Sequence, residues 1–195
     1  MNENVENISE LQVKWLRVLV YIATISIVNS VVSLLPIIPA SVTAWISRGI
    51  MVAMIVCMFR LAPVNERYKK AGVLRAVWLG CMIASLIFMP SILSLVASIL
   101  SIVAVYQEYN AHSEVIAEKN AKLSRNWHNL FNWSIVTGLL VGFGSMVTAL
   151  ITSFAGVEIT RITAIVTGIL SIPQLVIEIV YMLYLKKMLS PGVMG

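Results

Sequence analysis

An apolar stretch near the C-terminus carries polar side chains at a regular spacing. They follow one another at steps of four, three, four and three residues and so share one face of a helix: Thr167, Ser171, Gln174, Glu178 and Tyr181. Pro173 lies among them and frees the backbone carbonyl of Ile169, because proline has no N–H to donate. A carboxylate beside a freed carbonyl can bind a cation or a proton. The pattern predicts an ion-binding or solute-binding site around Glu178.

A second apolar stretch, near the N-terminus, offers a matching polar face. Ser26, Asn29, Ser30 and Ser33 recur there at helical spacing. An amide surrounded by apolar side chains needs a hydrogen-bonding partner, and Asn29 is therefore expected to bind Gln174 or Glu178. If the two stretches are in contact, their polar faces line a polar interior between helices.

Three further side chains are candidates for a metal site. Glu108 and His112 stand four residues apart on one helical face, and His128 follows later in the chain. Two imidazoles and a carboxylate can bind Zn²⁺, although exposed polar residues explain the same spacing. The chain has no Gly-rich phosphate loop, no His-Glu-x-x-His and no Asp. An enzyme is therefore the least expected class, and no cofactor is expected.

The composition indicates the helices that must position these residues. Hydrophobic residues make up 59% of the 195, charged residues 12%, and the mean hydropathy is +0.90, whereas soluble domains carry roughly 25% charged residues. The sequence predicts an all-α integral membrane protein, a single domain of residues 1–195. A spanning helix needs ~20 apolar residues, and six such spans in three hairpins are predicted: about 18–35, 44–62, 73–89, 91–106, 134–154 and 162–185.

The basic residues predict the orientation of these spans. Six spans that start inside place all but two of the 14 Lys and Arg residues on the cytoplasmic side, leaving Arg48 and Arg161 outside. This asymmetry is typical of multi-pass proteins of the cell membrane, and it predicts cytoplasmic N- and C-termini. The net charge of +5 is thus attributed to topology, and no nucleic-acid partner is expected.

Small residues recur at four-residue spacing on two of the predicted spans. These positions predict close helix packing, because lipid gives helices no hydrophobic reason to associate and small side chains let backbones approach. They are Gly72, Ala76, Gly80 and Ala84 on the third span, and Gly138 and Gly142 on the fifth.

The longest polar segment is 107–133, on the predicted cytoplasmic side. Ser124 is a candidate N-cap for a second helix. Leu123, Trp127, Leu130 and Phe131 then make an apolar face, which predicts a helix lying at the lipid headgroups.

Two functions are consistent with these features. In the first, the chain is a transport component, or one that binds a small solute, proton or cation at the polar seam around Glu178. In the second, it is a non-enzymatic accessory protein that meets a protein partner through the cytoplasmic segment 107–133. In both, the lipid bilayer surrounds the helices.

Overall fold

The computed structural model describes residues 2–34, 38–85, 90–155 and 160–190, which form six α-helices and no β-strand. The helices are α1 (Asn2–Ser33), α2 (Ala40–Leu61), α3 (Glu66–Ala84), α4 (Pro90–Ile116), α5 (Ala121–Ala155) and α6 (Thr160–Met188). The prediction of an all-α chain is confirmed. Several helices are longer than the predicted spans, because polar residues continue the helix beyond its apolar part.

Two asparagines cap the N-termini of helices. The Asn65 side chain accepts a hydrogen bond from the backbone N–H of Arg67 at 2.8 Å, at the start of α3. The Asn120 side chain accepts one from the backbone N–H of Leu123 at 2.9 Å, at the start of α5. The prediction that Ser124 caps this helix is therefore wrong. Asn120 takes that role, and one helix runs from the polar segment into the fifth apolar stretch.

The six helices pack in a ring. Each helix packs against the next one in the chain, and α6 packs against α1. Short connections favour such antiparallel neighbours. The contact between α1 and α6 brings the two polar faces predicted from the sequence to the same side of the ring.

One end of this ring holds the buried hydrophobic core. We call it the packed end. It joins the first half of α1, the end of α2, the start of α3, the end of α4, the start of α5 and the end of α6, through Leu16, Leu19, Cys57, Met58, Leu61, Tyr68, Ala71, Ile116, Leu123, Trp127, Leu185 and Met188.

The other end, which we call the open end, exposes large apolar side chains from all six helices. They include Ile25, Val28, Val42, Trp45, Val77, Ile83, Leu95, Ile99, Leu139, Phe143, Ile169 and Ile172. Among the described residues, two helical stretches are long and apolar enough to cross a membrane, Glu10–Ser33 and Ser41–Leu61.

The small-residue positions differ from the predicted packing faces. A methyl group added at Gly72 would lie 3.1 Å from the Met58 Cβ, so α3 approaches α2 closely there. A methyl group added at Gly80, Gly138 or Gly142 would meet no atom within 4 Å. The expected close packing at these three glycines is therefore wrong within the described residues.

The two alanines predicted to pack on the third span are not fully buried. Ala76 is exposed and Ala84 is half-buried. Among the described small positions of the third and fifth spans, the close approach is at Gly72, in the packed end.

Candidate functional site

A cavity of about 260 Å³ lies inside the ring, next to the packed end. We call it the inner cavity. Helices α1, α2, α3, α4 and α6 all contribute to its wall, and the polar groups come from Ser26, Arg75, Glu108, Tyr109, Gln174, Glu178 and Tyr181. The predicted polar interior is therefore present, and it includes an arginine that the sequence did not assign to it.

A second cavity, of about 190 Å³, lies farther toward the open end between α1, α5 and α6. We call it the outer cavity. Its wall includes Ser30, Ser33 and Ser171. Gln174 and Glu178 line both cavities. Glu178 thus lies at the boundary between two polar spaces inside an apolar bundle.

A hydroxyl group of α1 contacts the Glu178 carboxylate. The Ser30 hydroxyl donates to Glu178 Oε2 at 3.0 Å, and Ser26 lines the inner cavity together with Glu178. The packing of α1 on α6 therefore joins the two polar faces at Glu178, a contact that their spacing alone could not predict.

Asn29 does not take part in this contact. Its side-chain N–H groups donate to the Ser47 hydroxyl at 2.9 Å and to the Thr43 carbonyl at 3.3 Å, both on α2. The prediction that Asn29 binds Gln174 or Glu178 is wrong. Asn29 lies one position before Ser30 and so points to a different neighbouring helix, because adjacent residues of a helix face different directions.

The polar residues predicted to share one face of α6 lie in three different places. Ser171 lines the outer cavity, Gln174 and Glu178 line both cavities, and Tyr181 belongs to the inner one. Thr167 belongs to α6, and its side chain lies outside the part of the chain that the structure describes.

A buried ion pair closes the inner cavity toward the packed end. The Arg75 guanidinium of α3 donates to Glu108 Oε2, and the Tyr181 hydroxyl of α6 donates to Glu108 Oε1. Glu108 is fully buried, and the Arg75 side chain is 11% exposed. One carboxylate therefore links three helices, α3, α4 and α6.

The partners of Glu108 determine its ionisation. Burial by itself raises the pKa of this carboxyl, but Arg75, His112 and Tyr181 outweigh burial and lower the pKa from 4.5 to about 2. Glu108 is therefore a carboxylate at neutral pH, and its charge is compensated by Arg75.

His112 has a partner of its own on α3. The Tyr68 hydroxyl lies 2.8 Å from His112 Nδ1. Burial and the nearby Glu108 raise the pKa of Tyr68, so the phenol stays protonated. The other ring nitrogen of His112, Nε2, lies 3.8 Å from Glu108 Oε1.

The predicted metal site is not formed. Glu108 is bound by Arg75 and Tyr181, and His112 by Tyr68, while the exposed His128 places Nε2 3.0 Å from the Ser113 hydroxyl. No group of three metal-binding side chains occurs in the described ranges. The helical spacing brings Glu108 and His112 together but turns both toward other partners.

The apolar face of the segment 107–133 also differs from its prediction. Leu123, Trp127 and Leu130 are buried within the packed end. The Trp127 ring stacks on His112 with centroids 4.5 Å apart and contacts Tyr181 edge-on at 5.5 Å. This face packs against other helices of the chain, and the prediction that it lies at the lipid headgroups is wrong for these side chains.

Ser113 and His128 form a pair that the sequence did not indicate. Ser113 is 2% exposed, and its hydroxyl also lies 2.7 Å from the Ser124 hydroxyl. This cluster joins α4 to α5. A buried hydroxyl needs hydrogen-bonding partners, and this need accounts for the cluster without a catalytic role.

Arg75 is the main residue that sequence reasoning missed. It was counted among the basic residues of the cytoplasmic side, yet it lies inside the predicted span 73–89. A charge within an apolar span needs a partner of opposite charge. That signal pointed to Glu108, the carboxylate at the inner end of the next helix.

Comparison of the chain with models of protein families finds no match. Comparisons with curated proteins and with solved structures find none either.

Proposed function

We propose that this chain is a non-enzymatic, multi-pass membrane protein that binds a small solute or ion at Glu178, as a transport component or a solute-binding subunit. The observation that carries the proposal is the position of Glu178, which lines both cavities and is held there by Ser30. An ionisable side chain inside an apolar helical bundle is energetically unfavourable, and such residues commonly serve binding or transport.

The distribution of apolar side chains supports a bilayer as the surroundings. Phe143 is 70% exposed and Leu139 is 67% exposed, and similar side chains cover the open end on every helix. Water would disfavour an apolar surface of this extent, whereas lipid would not. The same end places its polar groups inside.

The proposed location is the cell membrane, with both termini in the cytoplasm. Single cysteines in a background lacking Cys57 and Cys81 test this orientation. We expect Ser41→Cys and Gly156→Cys to react with an impermeant thiol reagent in intact cells, and Lys69→Cys and Lys122→Cys to react only after lysis. Gly156 lies outside the described residues, and its placement follows from the sequence alone. Reaction of Lys122→Cys in intact cells would overturn the topology.

The test of the binding site compares Glu178→Gln with the wild type. Glutamine keeps the shape of the side chain and removes its charge. We expect a ligand of this site to raise the Tm of the wild type in detergent and to leave that of Glu178→Gln unchanged, in a panel of Na⁺, K⁺, amino acids and amines at several pH values. Glu118→Gln makes the same chemical change at an exposed position and should behave as wild type. Identical curves for wild type and Glu178→Gln under every condition would refute the proposal.

The alternative is an accessory role for the segment 107–133 with a protein partner. Its apolar side chains Leu123, Trp127 and Leu130 pack inside the bundle, and Glu118, Lys122 and Arg125 remain exposed. A partner would therefore meet a charged surface. Because Leu123, Trp127 and Leu130 are used for packing within the chain, and Trp133 is exposed apart from them, we favour the first function.

A further inference from the structure

The charges of the inner cavity restrict the ligand that it can bind. Arg75, Glu108 and Glu178 line it. The first two neutralise each other in a direct ion pair. Glu178 accepts a hydrogen bond from Ser30, and no Lys or Arg among the described residues pairs with it. When all three groups are ionised, the cavity therefore has one excess negative charge, which favours a monocation.

The remaining wall does not suit a bare metal ion. Most of it is formed by apolar side chains, among them Met51, Met54, Val105 and Ile177. A bare cation needs several oxygen ligands to replace its water shell, as carbonyl rings do for K⁺. A volume of about 260 Å³ also exceeds that of a single ion and accommodates a small organic molecule.

Two tyrosines contribute to the wall of the inner cavity. Tyr109 and Tyr181 both line the cavity, and their rings stack with centroids 5.6 Å apart at an angle of 26°. The face of an aromatic ring attracts a cation, and substituted ammonium groups are recognised in this way in proteins. The tyrosines and the Glu178 carboxylate thus favour the same kind of ligand.

We propose that the inner cavity binds an organic monocation of the substituted-ammonium class. Its charged nitrogen lies beside Glu178, and its apolar groups contact Tyr109, Tyr181 and the two methionines. This inference rests on the proposed function, because it names the ligand class of the same site.

Isothermal titration calorimetry of the full chain in detergent tests this inference. The probes are benzyltrimethylammonium, benzoate as an anion of similar size, and K⁺. We expect benzyltrimethylammonium to bind with one-to-one stoichiometry and at least about tenfold more tightly than either other probe. Glu178→Gln should weaken its binding by about tenfold or more, whereas Glu118→Gln should leave it unchanged.

The possible results test the proposed ligand class separately from the proposed binding role of Glu178. Tighter binding of benzoate or K⁺ than of benzyltrimethylammonium to the wild type would overturn the inference, and this comparison needs no variant. If that tighter binding disappeared in Glu178→Gln, the proposed function would stand with another ligand. Equal binding of benzyltrimethylammonium to the wild type and Glu178→Gln would also overturn the inference. The proposed function itself fails only if the stability curves of these two proteins coincide for every ion and solute.

Discussion

The packed end and the open end of the bundle bury opposite kinds of side chain. At the packed end, aromatic and aliphatic residues such as Trp127 and Leu19 lie inside, and the basic side chains of Lys69 and Lys122 lie outside. At the open end, Leu139 and Phe143 lie outside, while Asn29 and Glu178 face other helices or the cavities. The first arrangement is typical of a domain in water, and the second of helices in lipid. One chain thus combines both, and the candidate site lies at the junction.

The largest loss of stability is expected at the packed end, when Glu108 loses its charge. Glu108→Gln leaves the Arg75 guanidinium buried without a counter-charge, and we expect it to lower the free energy of unfolding by about 3 to 5 kcal/mol. The matched control is Glu114→Gln, whose partner Arg67 lies 2.6 Å away at the surface. Exposed pairs contribute roughly 0 to 1 kcal/mol. Denaturant titration in detergent compares the two, and equal losses would contradict a buried ion pair.

The same carboxylate should make the packed end sensitive to acid. Because folding lowers the pKa of Glu108 from 4.5 to about 2, its contribution to stability is present above pH 4.5 and is lost as pH falls toward 2. We expect the difference in stability between wild type and Glu108→Gln to shrink over that range. A difference that stays constant down to pH 2 would show that Glu108 is not held as a carboxylate.

Two tryptophans of α5 compare a buried position with an exposed one. Trp127 is fully buried, whereas Trp133 is 64% exposed. We expect Trp127→Ala to destabilise the fold by about 3 to 5 kcal/mol and Trp133→Ala to have a much smaller effect. The measurement is again denaturant unfolding in detergent. If Trp133→Ala proved the more damaging, the core would not lie where the structure places it.

Two glycines compare a closely packed position with an open one, and the expected loss of stability is smaller. Valine at Gly72 would collide with Met58 on α2, and we expect a loss of about 1 to 3 kcal/mol. Valine at Gly138 meets no neighbouring atom within 4 Å, and Gly138→Val should stay near wild type. Thermal unfolding of both variants checks this, and a destabilised Gly138→Val would indicate close packing at the open end.

The smallest expected effect concerns the polar contacts of the open end. Asn29→Ala removes the hydrogen bonds to Ser47 and Thr43. Hydrogen bonds between helices in lipid contribute roughly 0.6 kcal/mol on average, and we expect a loss of about that size. A loss above about 2 kcal/mol would show that this contact is more than a local link between α1 and α2.

The sequence predicted the periodic features of the molecule better than its pairwise contacts. Spacing along α6 identified the series that includes Gln174 and Glu178, because helical periodicity determines which residues share a face. It could not identify the partner on α1, since the rotation of one helix against another decides between Asn29 and Ser30. Trp127 shows the same limit, because an apolar helical face packs equally well against protein or lipid.

The most direct test of the account compares the inside and the outside of the open end. Spin labels at Leu139→Cys and Gln174→Cys, in a background lacking Cys57 and Cys81, are measured in lipid vesicles with oxygen, which concentrates in lipid, and with a water-soluble nickel chelate. The account predicts that the label at 139 collides mainly with oxygen and the label at 174 mainly with nickel. Nickel collisions dominating at 139, or oxygen collisions dominating at 174, would contradict a polar cavity enclosed by lipid-facing helices.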